Sequence, residues 1–437
     1  MTAASAPQTT TADPAVASAA YAAAAAVVQD RLWQRHETMA QYGARPDGGV
    51  NRPAFGDDEA QARTQLERWT SQLGLQGYVD PITNLFFRLE GQEPDLPPVL
   101  VGSHIDSQPA GGRFDGISGV LIGLEALTAI RAAGITPRRP IELVAWVNEE
   151  GSSFSPGMTG SAVYVGAQDF ESALQCRNWA GQTIAERIEP MQRATPLARP
   201  RPTRIDPFAY LEAHIEQGPQ LETAALPVGV VSGIQGARWF DIEVTGEAAH
   251  AGTTPLDKRR DALSAAVRMI QRLEADFWGA NDPDMRFTIG RVEVGPGAPN
   301  TVPERVFFTI DFRHPHEEVL ARFGDAIEPI CWSLRGRCAV RVTEAQHSAP
   351  VRFPTTLTER LARSAQALSI PTMTLPSGAN HDAKFIARLC PSAMLFVPCR
   401  NGVSHNPEEW AEPAHLAAGA QVMTHALVCL AMASDTL

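Results

Sequence analysis

A histidine and two aspartates follow the first strongly apolar segment of the chain. The run 99–101 predicts a buried strand, and it leads directly into His104 and Asp106. A glycine-rich loop then carries Asp115 to the start of a helix predicted over 117–133. An imidazole nitrogen and a carboxylate that can bridge two ions are typical metal ligands. Asp106 is placed to hold the other ring nitrogen of the histidine.

A second acidic cluster favours this metal site over the simpler alternative, a polar loop with a helix-capping aspartate. Glu149 and Glu150 end another apolar strand, predicted over 141–147. His214 ends a short extended segment, and His405 follows a glycine turn after the last apolar strand. Because α/β proteins place their sites at the carboxyl ends of sheet strands, we expect these side chains to meet there.

Five of these residues suffice to bind two metal ions. With Asp115 as the bridge, His104 and His214 complete one set of three ligands, and Glu150 and His405 complete the other. Nitrogen and carboxylate ligands without a thiolate suit zinc, with manganese, cobalt or nickel as alternatives. Of the two adjacent glutamates only one needs to bind metal, so the other can act as a general base toward a bridging water.

Composition limits the class of protein and its partners. A chain of 437 residues with 44% hydrophobic and 20% charged residues can form two or three cores. A net charge of -12 without a basic block argues against nucleic acid and against a membrane surface, so we expect a small-molecule substrate. The six cysteines form no C-x-x-C pair, which favours reduced thiols and a cytoplasmic location. The alanine- and threonine-rich start lacks a secretory or bilayer-spanning pattern, and we predict a disordered tail over 1–20.

The order of predicted elements favours an α/β catalytic domain, with a mixed sheet flanked by helices, that is interrupted by a second unit. Residues 21–234 and 349–437 form the catalytic domain, with early helices over 28–42 and 57–73 and a strand over 78–89. Residues 235–348 follow the order β-α-β-β-α-β of a ferredoxin-like unit. The strands predicted for this inserted unit cover 240–245, 287–294, 306–312 and 338–343. An exposed edge or apolar face at 240–244 or 306–312 would favour dimerisation.

Eight motifs stand in order along the chain: GARPDGGVNRPAF, GSHIDSQPAGGRFDGISGV, NEEGSSF, EAHIEQGPQLE, GEAAHAGTTPLDKRRDAL, PGAPNTVPERVFFTIDFRHP, SGANHDA and GVSHNPEE. From about His36 to Ala414 the chain therefore resembles the zinc-dependent hydantoinase/carbamoylase amidases of the M20 metallopeptidase superfamily. The resemblance implies the metal ligands assigned above. It also implies that the inserted unit serves as a lid and as the surface of a homodimer.

Several further roles are implied by the resemblance alone. Glu149 would be the general base, and His250, in H-A-G-T-T-P, would stabilise the developing oxyanion. Gln217, close to His214 in the ligand segment, would face the substrate. His381 lies in the S-G-A-N-H-D-A motif and is a candidate for the substrate pocket without a ligand role.

Asn300 and Arg313 are implied to hold a substrate carboxylate, which an amide and a planar guanidinium can do. Taken alone, Arg313 at a strand end and His250 in a loop would be ordinary surface residues. The predicted strand 306–312 lies between Asn300 and Arg313, and we expect both residues at one end of the inserted sheet.

The implied activity is metal-dependent hydrolysis of N-carbamoyl amino acids, of the L-α or β-alanine type, to the amino acid, carbon dioxide and ammonia. Alternatives are an allantoate or ureidoglycolate-type amidohydrolase, an M20 aminoacylase or dipeptidase, and a catalytically silent binding protein. The intact ligand set and Glu149 argue against the silent protein. Two residues depart from the usual family motifs: Asn380 replaces a glycine, which concerns the substrate pocket, and Ser153 replaces an arginine, which concerns a loop contact.

Overall fold

The computed structural model of the protein describes residues 13–433, which divide into two compact units. Unit 1 combines the described residues up to Ser232 with those from Phe353 onward, and unit 2 comprises Gly233–Arg352. The boundaries expected from the sequence, 235 and 348, lie within a few residues of this division. Each unit has its own apolar core, so each is described separately.

The described residues form seventeen strands and thirteen helices. The strands are β1 Gln76–Val79, β2 Leu85–Leu89, β3 Val99–His104, β4 Ile141–Trp146, β5 Arg199–Pro200, β6 Ala209–Ile215, β7 Val228–Ile234, β8 Gly236–Thr245, β9 Ala249–His250, β10 Arg286–Thr288, β11 Val292–Gly295, β12 Thr301–Val302, β13 Arg305–His314, β14 Ala339–Ser348, β15 Val351–Arg352, β16 Thr372–Ser377 and β17 Ser392–Val397. The helices are α1 Pro14–Ala25, α2 Gln29–Met39, α3 Asp57–Gln72, α4 Ile117–Ala132, α5 Thr159–Tyr164, α6 Phe170–Leu174, α7 Ile184–Arg193, α8 Gln220–Thr223, α9 Ala262–Trp278, α10 Glu317–Leu334, α11 Thr355–Ala367, α12 Ala383–Ile386 and α13 Pro413–Ala431. Short 3-10 helices cover Leu256–Lys258 and Arg400–Gly402.

Unit 1 is built on a mixed sheet in the order β7-β17-β6-β3-β4-β2-β1-β5, with β16 beside β7. Its central strands β3, β4, β6 and β17 run parallel to their neighbours in this group. Every residue of these four strands is buried, as expected for parallel strands covered by helices on both faces. The predicted α/β fold class is confirmed, and the carboxyl ends of the four strands lie along one edge of the sheet.

Two predicted strands are wrong because each is divided by a turn or loop. Residues 78–89 form the hairpin of β1 and β2, in which Gln76 pairs with Arg88. In the turn of this hairpin, the carboxylate of Asp80 accepts hydrogen bonds from the backbone and side-chain nitrogens of Asn84, both at 2.8 Å. The strand predicted over 287–294 is likewise divided into β10 and β11.

The disordered tail predicted over 1–20 is wrong for residues 13–20, while residues 1–12 lie outside the described part of the chain. Residues from Pro14 onward form α1, and the side chain of Asp13 accepts a hydrogen bond from the Ala15 amide at 2.9 Å. Ala20, Ala23 and Ala24 are buried, and α1 packs against α4 and α13. Alanine has the highest helix propensity, and its small side chain lets helices approach closely, so the low-complexity composition misled the prediction.

Unit 2 has an antiparallel sheet in the order β14-β8-β13-β10, with β11 also paired to β13. Numbered by sequence, its four main strands have the order 4-1-3-2 of a ferredoxin-like unit, with α9 and α10 as the crossover helices. The alternate residues Val306, Phe308, Ile310 and Phe312 are buried in its core. The edge expected at 240–244 or 306–312 is wrong, since β8 and β13 are central and β14, β10 and β11 lie outside them.

Among the described residues, α13 is the one helix long and apolar enough to cross a bilayer by length and composition. However, 72% of its apolar window is buried inside the structure. It packs against α1, α4 and α11, which is the environment of a core helix.

A buried carboxylate joins α4 to the segment that follows α1. Glu125 accepts hydrogen bonds from the Val28 amide at 2.9 Å, from Arg31 Nε at 2.9 Å and from Arg35 Nη1 at 3.0 Å. The Glu125 side chain is fully buried and that of Arg35 is nearly so. Removing one partner of a buried ion pair leaves the other charge without compensation.

We expect Glu125→Ala to lower the free energy of unfolding by about 3 kcal/mol, because Arg35 would remain buried without its carboxylate. Urea unfolding followed by circular dichroism measures the loss. The matched control is Glu359→Ala, which removes an exposed ion pair with Arg363 and should cost less than about 0.5 kcal/mol. Equal effects of the two substitutions would contradict a structural role for Glu125.

Candidate metal centre

The side chains predicted as metal ligands lie together at the carboxyl edge of the unit 1 sheet. His104 is the last residue of β3, and His214 is the next-to-last residue of β6. Glu150 follows β4 by four residues, and His405 lies in the loop after β17. Asp115 stands just before α4. The parallel arrangement of β3, β4, β6 and β17 therefore accounts for the convergence of residues that are far apart in sequence.

The carboxylate of Asp115 lies between two groups of side chains. Its Oδ1 is 3.1 Å from His214 Nε2 and 3.8 Å from His104 Nε2. Its Oδ2 is 3.1 Å from His405 Nε2, and that nitrogen is 3.5 Å from Glu150 Oε2. In each group of three residues, the possible ligand atoms all lie within 4.8 Å of one another. Asp115 thus belongs to both groups, one oxygen facing each.

Backbone carbonyls orient two of the histidines. His104 Nδ1 donates to the carbonyl of Asp106 at 2.9 Å, and His214 Nδ1 donates to the carbonyl of Ile215 at 2.9 Å. These bonds leave each Nε2, which faces Asp115, as the nitrogen available to a metal. We predicted the Asp106 carboxylate as the partner of His104, but its Oδ1 lies 3.7 Å away, so the backbone carbonyl fills that role instead.

The Asp106 carboxylate holds the paired glutamates. It accepts the backbone amide of Glu149 at 3.2 Å and that of Glu150 at 3.1 Å. Gln108 fixes the Glu150 side chain by donating from Nε2 to Oε2 at 2.7 Å. The two adjacent side chains diverge, because Glu149 Oε2 approaches His104 Nε2 at 3.6 Å while Glu150 approaches His405.

Buried negative charge dominates the electrostatics of this cluster. Burial, together with the charges of Asp382 and Glu150, raises the pKa of Glu149 well above its usual range. Burial and the charge of Asp115 raise the pKa of Glu150 to about 8. Burial also opposes ionisation of Asp115, but hydrogen bonds with His214 and His405 outweigh it and hold the pKa of that carboxyl well below its usual range. Imidazole and carboxylate donors around crowded buried carboxylates fit divalent cations well.

Glu409 is a residue of the site that the sequence reasoning missed. Its Oε1 accepts the backbone amides of Phe114 at 2.9 Å and Asp115 at 3.0 Å, and its Oε2 accepts Ser404 Oγ at 2.9 Å. It is nearly fully buried. The G-V-S-H-N-P-E-E motif contains two glutamates, and only the tertiary structure identifies the second as the one that positions Asp115.

Two of the predicted substrate-binding residues lie against the cluster. Gln217 Nε2 donates to Asp115 Oδ2 and to Ser404 Oγ, both at 3.0 Å. The ring of His381 is fully buried with its centroid 4.4 Å from that of His214, and its Nε2 lies 2.9 Å from Ser377 Oγ. Both side chains therefore adjoin the side of the cluster formed by β6.

His250 and Asn300 are neighbours within unit 2. His250 in β9 pairs with Thr301 in β12, and the Ala251 amide donates to the carbonyl of Asn300 at 2.9 Å. His250 Nδ1 accepts the amides of Gly252 at 3.1 Å and Thr253 at 3.2 Å. Since Nδ1 is an acceptor, the neutral ring carries its proton on Nε2 and can donate from there.

The structure does not bring Arg313 to Asn300, so the expectation that both lie at one end of the sheet is wrong. Asn300 precedes β13, whereas Arg313 is its next-to-last residue. The eight steps from Arg305 to Arg313 in an extended strand span about 26 Å. The guanidinium of Arg313 instead binds Asp311, with Nη2 at 2.8 Å from Oδ2.

Comparison with known proteins identifies the class to which this fold and site belong. Residues 100–428 match the family described as peptidase family M20/M25/M40, and the chain belongs to this family. Within it, the chain is similar to an amidase of the hydantoinase/carbamoylase family from Burkholderia multivorans. That crystal structure matches with a TM-score of 0.87 and 39% identity, covering 93% of this chain and 98% of the other.

Relatives with described activities include carbamoyl amino acid, allantoate and ureidoglycolate hydrolases. An N-carbamoyl-L-amino acid amidohydrolase of Geobacillus stearothermophilus is 39% identical over 407 residues, covering 92% of this chain and 98% of the relative. An allantoate amidohydrolase of Bacillus subtilis is 33% identical over 409 residues, with the same coverage. The resemblance inferred from the eight motifs is confirmed, and the carbamoyl amino acid hydrolases are the more similar group.

A glycine after Asp115 leaves room for the imidazole of His104. Gly116 has φ +64, and a Cβ at this position would lie 2.2–2.4 Å from atoms of the His104 ring. Gly134, just beyond the end of the same helix, has a similar φ of +69 but nothing within 4 Å of a Cβ. The two positions share a positive φ but differ in the space around a Cβ.

We expect Gly116→Ala to displace His104 and to weaken metal retention about tenfold or more. Elemental analysis after gel filtration, with circular dichroism as a check of folding, measures the effect. Gly134→Ala also places an alanine at a positive φ but without the contact, so it should retain metal as the wild type does. Comparable metal loss in both variants would mean that strain in the helix, and not the His104 ring, is responsible.

Proposed function

We propose that the protein is an amidohydrolase that uses two divalent metal ions to cleave N-carbamoyl amino acids. The products are the free amino acid, carbon dioxide and ammonia. The observation that carries this proposal is the Asp115 carboxylate, shared between two compact groups of ligand atoms. The identity of the more similar relatives supports the choice of substrate class.

His104, His214 and Asp115 would hold one ion, and Glu150, His405 and Asp115 would hold the other. Both groups offer nitrogen and oxygen donors, which suit zinc, although manganese, cobalt or nickel have similar requirements. Two such ions lower the pKa of a shared water and polarise the carbonyl to be attacked. Gln217, Ser404 and Glu409 would fix Asp115 so that each of its oxygens serves one ion.

Glu149 is the proposed general base. Its side chain lies 3.6 Å from His104, whereas Glu150 is fixed by Gln108 and faces His405. A carboxylate at this position can serve as the proton acceptor. It would take a proton from the attacking water and return it to the leaving nitrogen. The carbamic acid released then decomposes to carbon dioxide and ammonia.

The proposed substrate contacts divide between charge stabilisation and anchoring. His250 would donate from Nε2 to the oxygen on which negative charge develops. Arg313 and Asn300 would bind the substrate carboxylate. Gln217 and His381, which adjoin the ligand cluster, would contact the substrate near the scissile bond.

A homodimer formed through unit 2 would reconcile these roles with the structure. Within one chain, His250 and Asn300 lie at one end of β13 and Arg313 lies at the other. A two-fold symmetric pair could combine Arg313 of one copy with His250 and Asn300 of the second.

We also propose a cytoplasmic location, since all six cysteines are free thiols in the described part of the chain.

Allantoate is the second candidate substrate, because a relative with that activity matches the same length of chain.

A panel of substrates tests the proposal. It contains N-carbamoyl-L-amino acids, N-carbamoyl-β-alanine, allantoate, ureidoglycolate and dipeptides, and each is assayed for ammonia and amine release with zinc, manganese or cobalt. We expect the highest kcat/KM on a carbamoyl amino acid and loss of turnover with a chelator. A preference for allantoate or peptides would move the protein to another activity of the family. Absence of turnover on every substrate with every metal would favour a silent binding protein.

Two adjacent variants serve as controls for that panel. Glu149→Gln should keep both metals and lower kcat by about 10²–10⁴, since it removes only the proton acceptor. Glu150→Gln should lose metal as well, because it removes a ligand of the second ion. Equal metal loss in both would mean that the roles of the two glutamates are exchanged or shared.

Mixing two inactive variants tests the dimer. If each site combines His250 of one copy with Arg313 of the other, His250→Ala and Arg313→Ala should complement each other. Random exchange of equal amounts should restore about one quarter of wild-type activity, since half of the dimers then contain one intact site out of two. Light scattering checks that the variants remain dimers. Activity that stays at the level of the separate variants would argue for sites completed within one chain.

A further inference from the structure

A cavity of about 290 Å³ in unit 2 is lined by an unusual concentration of arginines. It lies between the start of α9 and the turn that joins α10 to β14. The charged residues that line it are Arg259, Arg260, Arg268, Arg335, Arg337 and one carboxylate, Asp261. Five positive charges against one negative charge leave an excess of four within a single small cavity.

These five arginines form no ion pairs within the described part of the chain. None of the five forms an ion pair within 4.0 Å of a carboxylate oxygen among residues 13–433. Asp261 is engaged in capping α9, where its Oδ1 accepts the Ser264 amide at 2.9 Å. Of the nine other arginines of the same unit, five pair with Asp or Glu: Arg238, Arg272, Arg291, Arg313 and Arg341. The chain has 49 acidic residues and 37 basic ones, so a shortage of acidic residues does not explain why these arginines lack ion-pair partners.

Neutral acceptors orient the guanidinium groups. Arg260 Nε donates to the carbonyl of Arg337 at 3.2 Å, and Arg337 Nη1 donates to the carbonyl of Asp257. Arg268 Nη1 donates to Ser264 Oγ at 3.0 Å. A guanidinium has five N–H donors, so each of these groups retains its full charge and further donors. The arrangement holds the arginines in place without neutralising them.

We propose that this cavity binds a small multivalent oxyanion of the phosphate class, either free phosphate or the phosphate group of an ester. Guanidinium forks match the geometry of phosphate oxygens and bind them through paired hydrogen bonds. An excess of four charges favours a multivalent anion, since a monocarboxylate would leave most of it uncompensated. The amino-terminal end of α9, which borders the cavity, adds to the attraction for an anion. The proposal does not depend on the reaction proposed above.

One lining residue connects this cavity to the loop that follows His250. Arg259 donates from Nε to the carbonyl of Thr254 at 2.9 Å and from Nη2 to the carbonyl of Ala251 at 2.6 Å. The same loop supplies the amides that fix the His250 ring. An oxyanion in the cavity would therefore contact the side chain that holds this loop in place.

Calorimetric titration of the metal-loaded, full-length protein tests the site. The probes are inorganic phosphate, pyrophosphate and a nucleoside monophosphate, at an ionic strength held constant with potassium chloride. We expect one saturable site per chain with a dissociation constant below about 1 mM, equivalent to more than about 4 kcal/mol of binding free energy. Tighter binding of the monophosphate than of phosphate would identify an ester as the ligand, and equal binding would identify free phosphate.

Two cavity variants and a matched control assign the binding to these arginines. Arg268→Ala and Arg337→Ala should each raise the dissociation constant about tenfold or more, because each removes a charged donor. Arg322→Ala removes an exposed arginine of the same unit outside the cavity, and it should bind as the wild type does. Hydrogen exchange should show that ligand protects 256–268 and 335–338. The proposal would be overturned if both cavity variants still bound phosphate with wild-type affinity, as they would if phosphate bound at the metal centre. It would also be overturned if the wild type showed no saturable binding at constant ionic strength.

Discussion

The carboxylate of Asp115 is the group on which the described site depends. It is nearly fully buried, and a buried charge is strongly unfavourable unless donors surround it. Two histidines, Gln217 and Ser404 supply those contacts through their side chains, and Glu409 fixes the backbone on which the carboxylate stands. This network gives one residue two oxygen atoms that face two different groups of ligands. A rigid bridging position is what a two-metal site requires.

The parallel strands of unit 1 make that network possible. Because β3, β4, β6 and β17 are buried on both faces, most of their residues are apolar, and the histidines of the cluster stand at or next to the carboxyl ends of β3 and β6. Close packing then sets strict limits on the connecting loops. Gly116 allows the backbone after Asp115 to pass the His104 ring, and a Cβ on Gly112 would lie 2.0 Å from Glu409 Oε1. Packing therefore restricts the residues beside the candidate ligands to small side chains at these two positions.

Unit 2 differs from unit 1 in the type of its sheet and in the distribution of its charge. Its antiparallel sheet buries one face under α9 and α10, so apolar and polar residues alternate along β13. Its other notable feature is charge: a strongly acidic chain keeps five arginines without acidic partners around one cavity. Like charges held close together repel one another, and an anionic ligand would reduce that repulsion. The two units thus present sites of opposite electrostatic character, one rich in carboxylates and one rich in guanidinium groups.

The sequence by itself determined the fold class and the group of candidate ligands. Apolar runs that end in His104, Glu149, Glu150 and His214 were sufficient, because parallel strands bring their carboxyl ends to one edge wherever they lie in the chain. Tertiary structure alone decided which polar atoms meet. Glu409 contacts the amide of Asp115 across 294 residues, and the Asp106 carboxylate turns to the glutamate amides while its carbonyl serves His104. The direction of β13, which separates Arg313 from Asn300, likewise follows from strand length and pairing that periodicity does not encode.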